Sequence, residues 1–204
     1  MPAILNVWFG GSEAGYAITD VLFGDVNPSG KLSTTFPQNI GQVPIFYNHK
    51  NTGRPLGEGK WFEKFRSNYL DVSNDPLYPF GFGLSYTSFS YSDIALSSAS
   101  LKGDQPLTAS ITVTNTGKYD GKEVVQLYIR DVVGSVTRPV KELKGFQKIA
   151  LKTGESKKVT FTVTPEDLKF YNYDLKYDWE PGEFHIMIGS NSKDVKKASV
   201  NWVK

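Results

Sequence analysis

From residue 107 onward, apolar side chains return at every second position, and that rhythm narrows the fold more than any other property of the chain. Leu107, Ala109, Ile111 and Val113 point one way, and Thr108, Ser110, Thr112 and Thr114 the other. A period of two marks a strand with one face buried and one wet. The rhythm recurs at Val125, Leu127 and Ile129, at Val159, Phe161 and Val163, at Phe184, Ile186 and Ile188, and ends at Val200 and Trp202. Leu143 to Leu151, entered after an Arg138-Pro139 break, reads as a less regular strand. Phe89 and Tyr91 alternate in one phase, Ile94 and Leu96 in the other, which predicts a bulge. Asn115-Thr116-Gly117 and Glu180-Pro181-Gly182-Glu183 are turns. Thr164-Pro165-Glu166-Asp167-Leu168 is a short helical corner with proline in its first turn. Phe170 to Tyr177 reads as an aromatic strand. Seven or eight short strands between regular turns predict an antiparallel immunoglobulin-like sandwich over 85–204. That fold by itself hosts many unrelated functions.

The rhythm starts behind a stretch of another character. Residues 77–91 hold Tyr78, Phe80, Phe82, Tyr86 and Phe89 between Pro79, Gly81 and Gly83. Aromatic rings bury large areas, so this stretch reads as a packed connector. Further upstream, Ala3 to Phe9 is apolar on both faces, as in a strand buried on both sides. Ser12 is placed to cap a helix whose apolar stripe is Ala14, Ala17, Ile18, Val21 and Leu22, with Gly24 as its stop. Asn27-Pro28-Ser29-Gly30 suits a type I turn, and Lys31 to Phe36 a short strand. A parallel sheet needs helices on both faces, and residues 1–37 supply too few partners. We therefore expect an incomplete α/β segment, strand–helix–strand, with a larger α/β domain preceding it. Its orphaned apolar face would favour a homo-oligomer. Residues 38–84 form an irregular connecting segment, a long aromatic loop. The overall expectation is a mainly β chain.

Composition excludes several functions. The 204 residues are 39% apolar and 14% aromatic with net charge +2, enough for a core and without a basic stripe for nucleic acid. Cysteine is absent, which removes disulfides and thiolate metal sites. The two histidines, His49 and His185, lack ligand spacing, so we expect no metal and no cofactor. No segment is long and apolar enough to span a membrane, and the N-terminus lacks a signal-peptide pattern.

Candidate chemistry is sparse. Glu13 and Asp20 share roughly one helix face, but carboxylate pairs on helices are common without chemistry. Ser12 lies in Gly11-Ser12-Glu13-Ala14-Gly15, which lacks the register of a nucleophile elbow. Glu58, Glu63, Asp71 and Asp75 read as solvated loop charge. Sugars bind through aromatic faces and planar polar groups, so His49, Arg54, Trp61, Phe62 and Tyr69 of the irregular segment are the candidate substrate-binding residues. His185 is expected to face solvent without a role.

Several long motifs, in order, carry a resemblance. They are Trp8-Phe9-Gly10-Gly11-Ser12-Glu13-Ala14-Gly15, Asp20-Val21-Leu22-Phe23-Gly24-Asp25-Val26-Asn27-Pro28-Ser29-Gly30-Lys31-Leu32, Tyr47-Asn48-His49-Lys50-Asn51-Thr52-Gly53-Arg54-Pro55 and Leu77-Tyr78-Pro79-Phe80-Gly81-Phe82-Gly83-Leu84-Ser85-Tyr86. They resemble the end of the α/β sandwich domain in the β-glucosidase branch of family 3 glycoside hydrolases. Glu123-Val124-Val125-Gln126-Leu127-Tyr128 and Glu142-Leu143-Lys144-Gly145-Phe146 are similar to that family's fibronectin type III-like domain. The resemblance implies retaining hydrolysis of terminal β-glucosides or β-xylosides. Retention needs two carboxyl groups about 5 Å apart. In the family the nucleophile is an aspartate of an N-terminal barrel, and the acid/base glutamate lies upstream of the Trp8-Phe9-Gly10-Gly11 stretch. No catalytic residue is carried over to this chain. The resemblance thus implies a C-terminal portion, structural and inactive alone, whose partners are upstream catalytic domains and a carbohydrate, in a periplasmic or secreted parent. The alternative is a sandwich that binds carbohydrate or protein; an exposed aromatic row would favour it, and the threonine faces supply none.

Overall fold

In the computed structural model, residues 3–56 and 60–204 are described. Helix α1 (Ala14–Phe23) comes first. A single 3-10 turn, Ile40–Gln42, follows. Then come β1 (Phe89–Tyr91), β2 (Ala95–Leu96), β3 (Ser100–Lys102), β4 (Leu107–Asn115), β5 (Gly121–Asp131), β6 (Glu142–Leu151) and β7 (Ser156–Val163). A 3-10 corner, Pro165–Leu168, precedes β8 (Phe170–Tyr171), β9 (Tyr177–Asp178), β10 (Gly182–Gly189) and β11 (Val195–Val203). The architecture is mainly β, as expected.

Two sheets face each other. In one, β4 pairs with β7 and with the short β1 and β2. The other runs β3-β11-β10-β5-β6, antiparallel except for the β3–β11 pair. Register follows the alternation. Leu107 lies opposite Val163, Ala109 opposite Phe161 and Ile111 opposite Val159, so each pair shares the inner face. Leu127 and Ile129 face Ile188 and Ile186 in the second sheet. All of these side chains are buried, with Trp202 entirely so at 0% exposure. The Trp202 indole N–H donates to the Gly103 carbonyl at 3.0 Å. A register shift in the β5–β6 pairing at Leu127/Tyr128 accounts for the irregular pattern of β6. The corner at Thr164 carries a capping box with Asp167 and proline at its start.

Several expectations need correction. Ala3 to Phe9 forms no strand and is exposed, because a strand exists only with a neighbouring strand to pair with, and among the described residues these have none. Lys31 to Phe36 is likewise no strand; Leu32 and Phe36 instead bond to the aromatic connector at two isolated points. The N-cap of α1 is Glu13 rather than Ser12, with no side-chain cap, whereas Gly24 closes the helix at φ 88° as expected. Residues 27–30 run without a hydrogen-bonded turn, since Asn27 bonds to distant partners described below. Phe170 to Tyr177 is a tight hairpin of β8 and β9 rather than one strand, because Asn172 turns the chain. His185 is half-buried on the outer sheet face rather than free in solvent, 3.3 Å from Glu183.

Candidate functional site

The connector folds as a seam between the first segment and the sandwich. The Leu32 N–H donates to the Phe82 carbonyl and the Gly81 N–H returns to the Leu32 carbonyl, both at 2.8 Å. The Phe36 N–H reaches the Tyr78 carbonyl at 2.9 Å. Rings fill the spaces between. Tyr78 stacks on Phe82 at 5.1 Å, and Tyr47 stacks on Phe80 at 4.3 Å while its edge meets Tyr128 at 5.8 Å. Offset and edge contacts of this kind suit the aromatic quadrupole. Tyr128 lies on the outward face of β5, which the connector converts into a second buried face.

Close approach explains the glycines. Gly81 has φ 80°, and a Cβ there would lie 2.1 Å from Gln126 Oε1. Gln126 is buried and fully used. Its amide donates to the carbonyls of Gly81 and Ser190, at 3.1 and 2.6 Å, and its oxygen accepts from the Tyr128 hydroxyl. Burial raises the Tyr128 phenol, with the Tyr47 phenol adding to the shift.

Two polar knots tie the first segment down. Lys31 Nζ lies 3.1 Å from Glu123 Oε1, with side chains only 12% and 4% exposed. The Tyr91 hydroxyl donates to the same oxygen at 2.8 Å. Burial raises the Tyr91 pKa, and the Glu123 charge and hydrogen bond push it further. Lys31 also donates to the Gly83 carbonyl at 3.3 Å. These three side chains line a cleft of about 630 Å³ between the connector and the β10–β11 end of the sandwich. The second knot is Asn27: its amide donates to the Asp120 carbonyl at 2.9 Å, and its oxygen accepts from Ser85 Oγ and the Tyr86 N–H at 2.8 and 2.9 Å.

The irregular segment has a small polar heart and an apolar rim. Buried Gln42 accepts from the Gln38 N–H and donates to the carbonyls of Ser73 and Asp75. The backbone of His49 is pinned to the sandwich, its carbonyl accepting from the Val140 N–H at 2.9 Å, while Lys50 bridges Pro139. Arg138 holds that loop, 2.8 Å from Glu142 and 4.0 Å above the Phe170 ring. The Arg54 carbonyl accepts from the Ser67 N–H at 2.9 Å.

His49, Arg54, Trp61, Phe62 and Tyr69 are all exposed, as are Phe65 and Leu70. Among the described residues no hydrogen bond or ring contact joins the five to one another. Glu63 is taken up by Lys60 and Arg66, whose hydrogen bonds lower its pKa, Lys60 first. Asp75 pairs with Lys193 at 3.0 Å, and Asp71 is exposed. Glu58 lies outside the described residues. Glu13 sits at the N-cap position of α1 without a side-chain cap, and the Asp20 backbone carbonyl accepts from Gly24 and Val26. Among the described residues no group of three or more His, Asp or Glu is placed to hold a metal, and no helix is long and apolar enough to cross a membrane. The sequence reading missed Lys31, Glu123, Gln126 and Asn27. Glu123 and Gln126 had one legible signal, polarity inside a strand otherwise buried on both faces, whereas Asn27 and Lys31 lie outside any strand and had none.

Comparison with known proteins gives this geometry a context. Residues 1–86 match the family model described as the glycosyl hydrolase family 3 C-terminal domain, and residues 123–192 match the fibronectin type III-like domain. The chain is 55% identical over 197 residues to a periplasmic beta-glucosidase of Salmonella typhimurium, covering 97% of this chain and 26% of the relative. It is 47% identical over 204 residues to a beta-xylosidase of Formosa agariphila, covering 98% and 27%. A crystal structure of a beta-glucosidase from Listeria innocua in complex with glucose superposes with TM-score 0.92 at 45% identity, covering 98% of this chain and 28% of that one. The chain therefore spans about a quarter of the length of the curated relatives it matches.

Proposed function

The chain belongs to the family 3 glycosyl hydrolases, of which it carries the C-terminal region, and from that premise we propose that it is the structural portion of an enzyme that hydrolyses terminal β-glucosides or β-xylosides with retention. In this reading residues 1–37 complete an α/β domain, 38–84 connect, and 85–204 are the fibronectin type III-like sandwich. The observation that carries it is the unpartnered face around α1. Leu5, Val7, Trp8, Phe9, Tyr16, Leu22, Phe23 and Val26 are exposed together in sequence, a concentration that a monomeric surface rarely tolerates. Upstream catalytic domains of the parent cover that face and supply both carboxyl groups. The rim of the irregular segment, His49, Arg54, Trp61, Phe62 and Tyr69, then reaches toward the carbohydrate. A periplasmic or secreted parent accords with the periplasmic relative.

The test is hydrolysis of nitrophenyl β-glucoside and β-xyloside by this chain, alone and mixed with the upstream part of its parent. Turnover is expected only in the mixture, with a raised KM when Trp61 and Phe62 are replaced by alanine. Turnover by the chain alone would overturn the structural role.

A further inference from the structure

The β8–β9 hairpin displays side chains that a core would ordinarily absorb. Tyr171 pairs across from Tyr177, with ring centroids 5.1 Å apart. Both are well exposed, at 69% and 59%, and the intervening turn adds Tyr173 at 79% and Leu175 at 82%. Leu175 sits at φ 59°, a conformation costly for a side-chain-bearing residue and most often kept where function requires it.

The display is built rather than frayed. Asn172 Oδ1 accepts from the N–H groups of Asp174 and Lys176, at 3.0 and 3.1 Å, and the Asn172 N–H donates to the Lys176 carbonyl at 3.0 Å. The Tyr173 N–H donates to Ser135 Oγ at 3.0 Å. Charges around the platform nearly balance: Lys169 pairs with Glu166 and Lys204 with Asp178, the exposed Asp174 and Lys176 of the turn are opposite in sign, and Glu180 accepts from the N–H and hydroxyl of Ser135. The surface is aromatic, wet and close to neutral. Around α1, by contrast, the exposed set includes the aliphatic Leu5, Val7, Leu22 and Val26, the composition of a face that another protein surface covers.

Exposed phenol rings complement a ligand that has apolar faces and hydroxyl edges. A neutral rim gives an ionic partner no counter-charge. Ser135 lies in the loop between β5 and β6 that also holds His49 and Lys50, so one loop links the hairpin to the irregular segment. We propose that the Tyr171–Tyr177 hairpin is a binding platform for a neutral β-linked glycan. The ligand class rests on the proposed glycosidase role; the platform rests on the hairpin itself.

Native electrophoresis of this chain in gels containing laminarin or hydroxyethylcellulose tests it. The chain should be retarded in at least one of the two, and the double variant Tyr171→Ala/Tyr177→Ala should weaken that retardation about tenfold or more. Phe9→Ser, exposed on the opposite kind of face, should leave it intact. An unretarded chain in both gels, or a double variant still retarded, overturns the proposal. So does self-association by sedimentation that the double variant abolishes without any glycan retardation, since a second copy would then be the occupant. Restored nitrophenyl glucoside hydrolysis should survive the double variant. Retardation without any restored hydrolysis would sink the glycosidase role and leave the platform standing.

Discussion

The sandwich and the eighty residues before it use aromatic and aliphatic side chains in opposite ways. In the sandwich, Leu107, Ala109 and Ile111 of β4 meet Val163, Phe161 and Val159 of β7, and Leu127 and Ile129 of β5 meet Ile188 and Ile186 of β10, within the same chain. Around α1 the helix has its stripe and its C-cap but no buried residue at all. Both regions are apolar in sequence; only one contains the surface its stripe was matched to. The first segment is held instead by ring stacks, tight glycines and two polar knots, on the side that meets the connector and the start of β5. Periodicity thus shows that a face will be covered, but not whether the cover belongs to the same chain.

The largest effect should come from the closed core. Trp202→Ala removes a fully buried indole that packs at 6.1 Å from Trp179 and should cost about 3–5 kcal/mol by urea denaturation. Phe9→Ser, on the fully exposed residue 9, should change stability by no more than about 0.5 kcal/mol in the same assay. Comparable losses for the two would erase the contrast. Next, Glu123→Gln should cost about 3 kcal/mol, because it strands the buried Lys31 ammonium. The pair Lys31→Met/Glu123→Gln should recover part of that loss, which a double-mutant cycle would read directly.

A smaller effect, and a more local one, is expected at the seam. Gly81→Ala must place its Cβ against Gln126 at a positive φ, costing about 2 kcal/mol. The cost should appear as faster amide exchange in 77–84, while the β4–β7 ladder stays protected. The smallest effect is a pH slope. His185 is shifted below its ordinary value of 6.5, first by burial and next by Lys197; Glu183 opposes and Arg130 adds. The unfolded chain therefore binds the proton more readily than the folded one. Stability should fall as pH drops below 6.5, and His185→Gln should flatten that slope in melts between pH 7 and 5.

Much of the fold was legible because a sheet with one wet face writes itself as alternation. Leu107, Ala109, Ile111 and Val113, Val159, Phe161 and Val163, and Phe184, Ile186 and Ile188 all face inward as their spacing requires. The Thr164 corner was readable from its cap and proline. Two misreadings share one cause. Ala3 to Phe9 and Lys31 to Phe36 carry strand-like side chains, but a strand is defined by a neighbour's hydrogen bonds, and sequence spacing does not contain the neighbour. The site was less legible still. Asn27 meets Asp120 and Lys31 meets Glu123 across more than ninety residues, separations at which no local pattern pairs them.

One topological fact reaches into how the protein is made. β11 does not sit at the rim of its sheet; it lies between β3 and β10. A ribosome delivers strands in order, so β3 and β10 emerge with a vacancy between them that only residues 195–203 can occupy. The five-stranded sheet must close after synthesis of its final strand, not progressively during it. Until then Trp202 is missing from the core and β3 lacks its partner. A chain truncated between residues 189 and 195 would keep every other strand and still have its sheet divided.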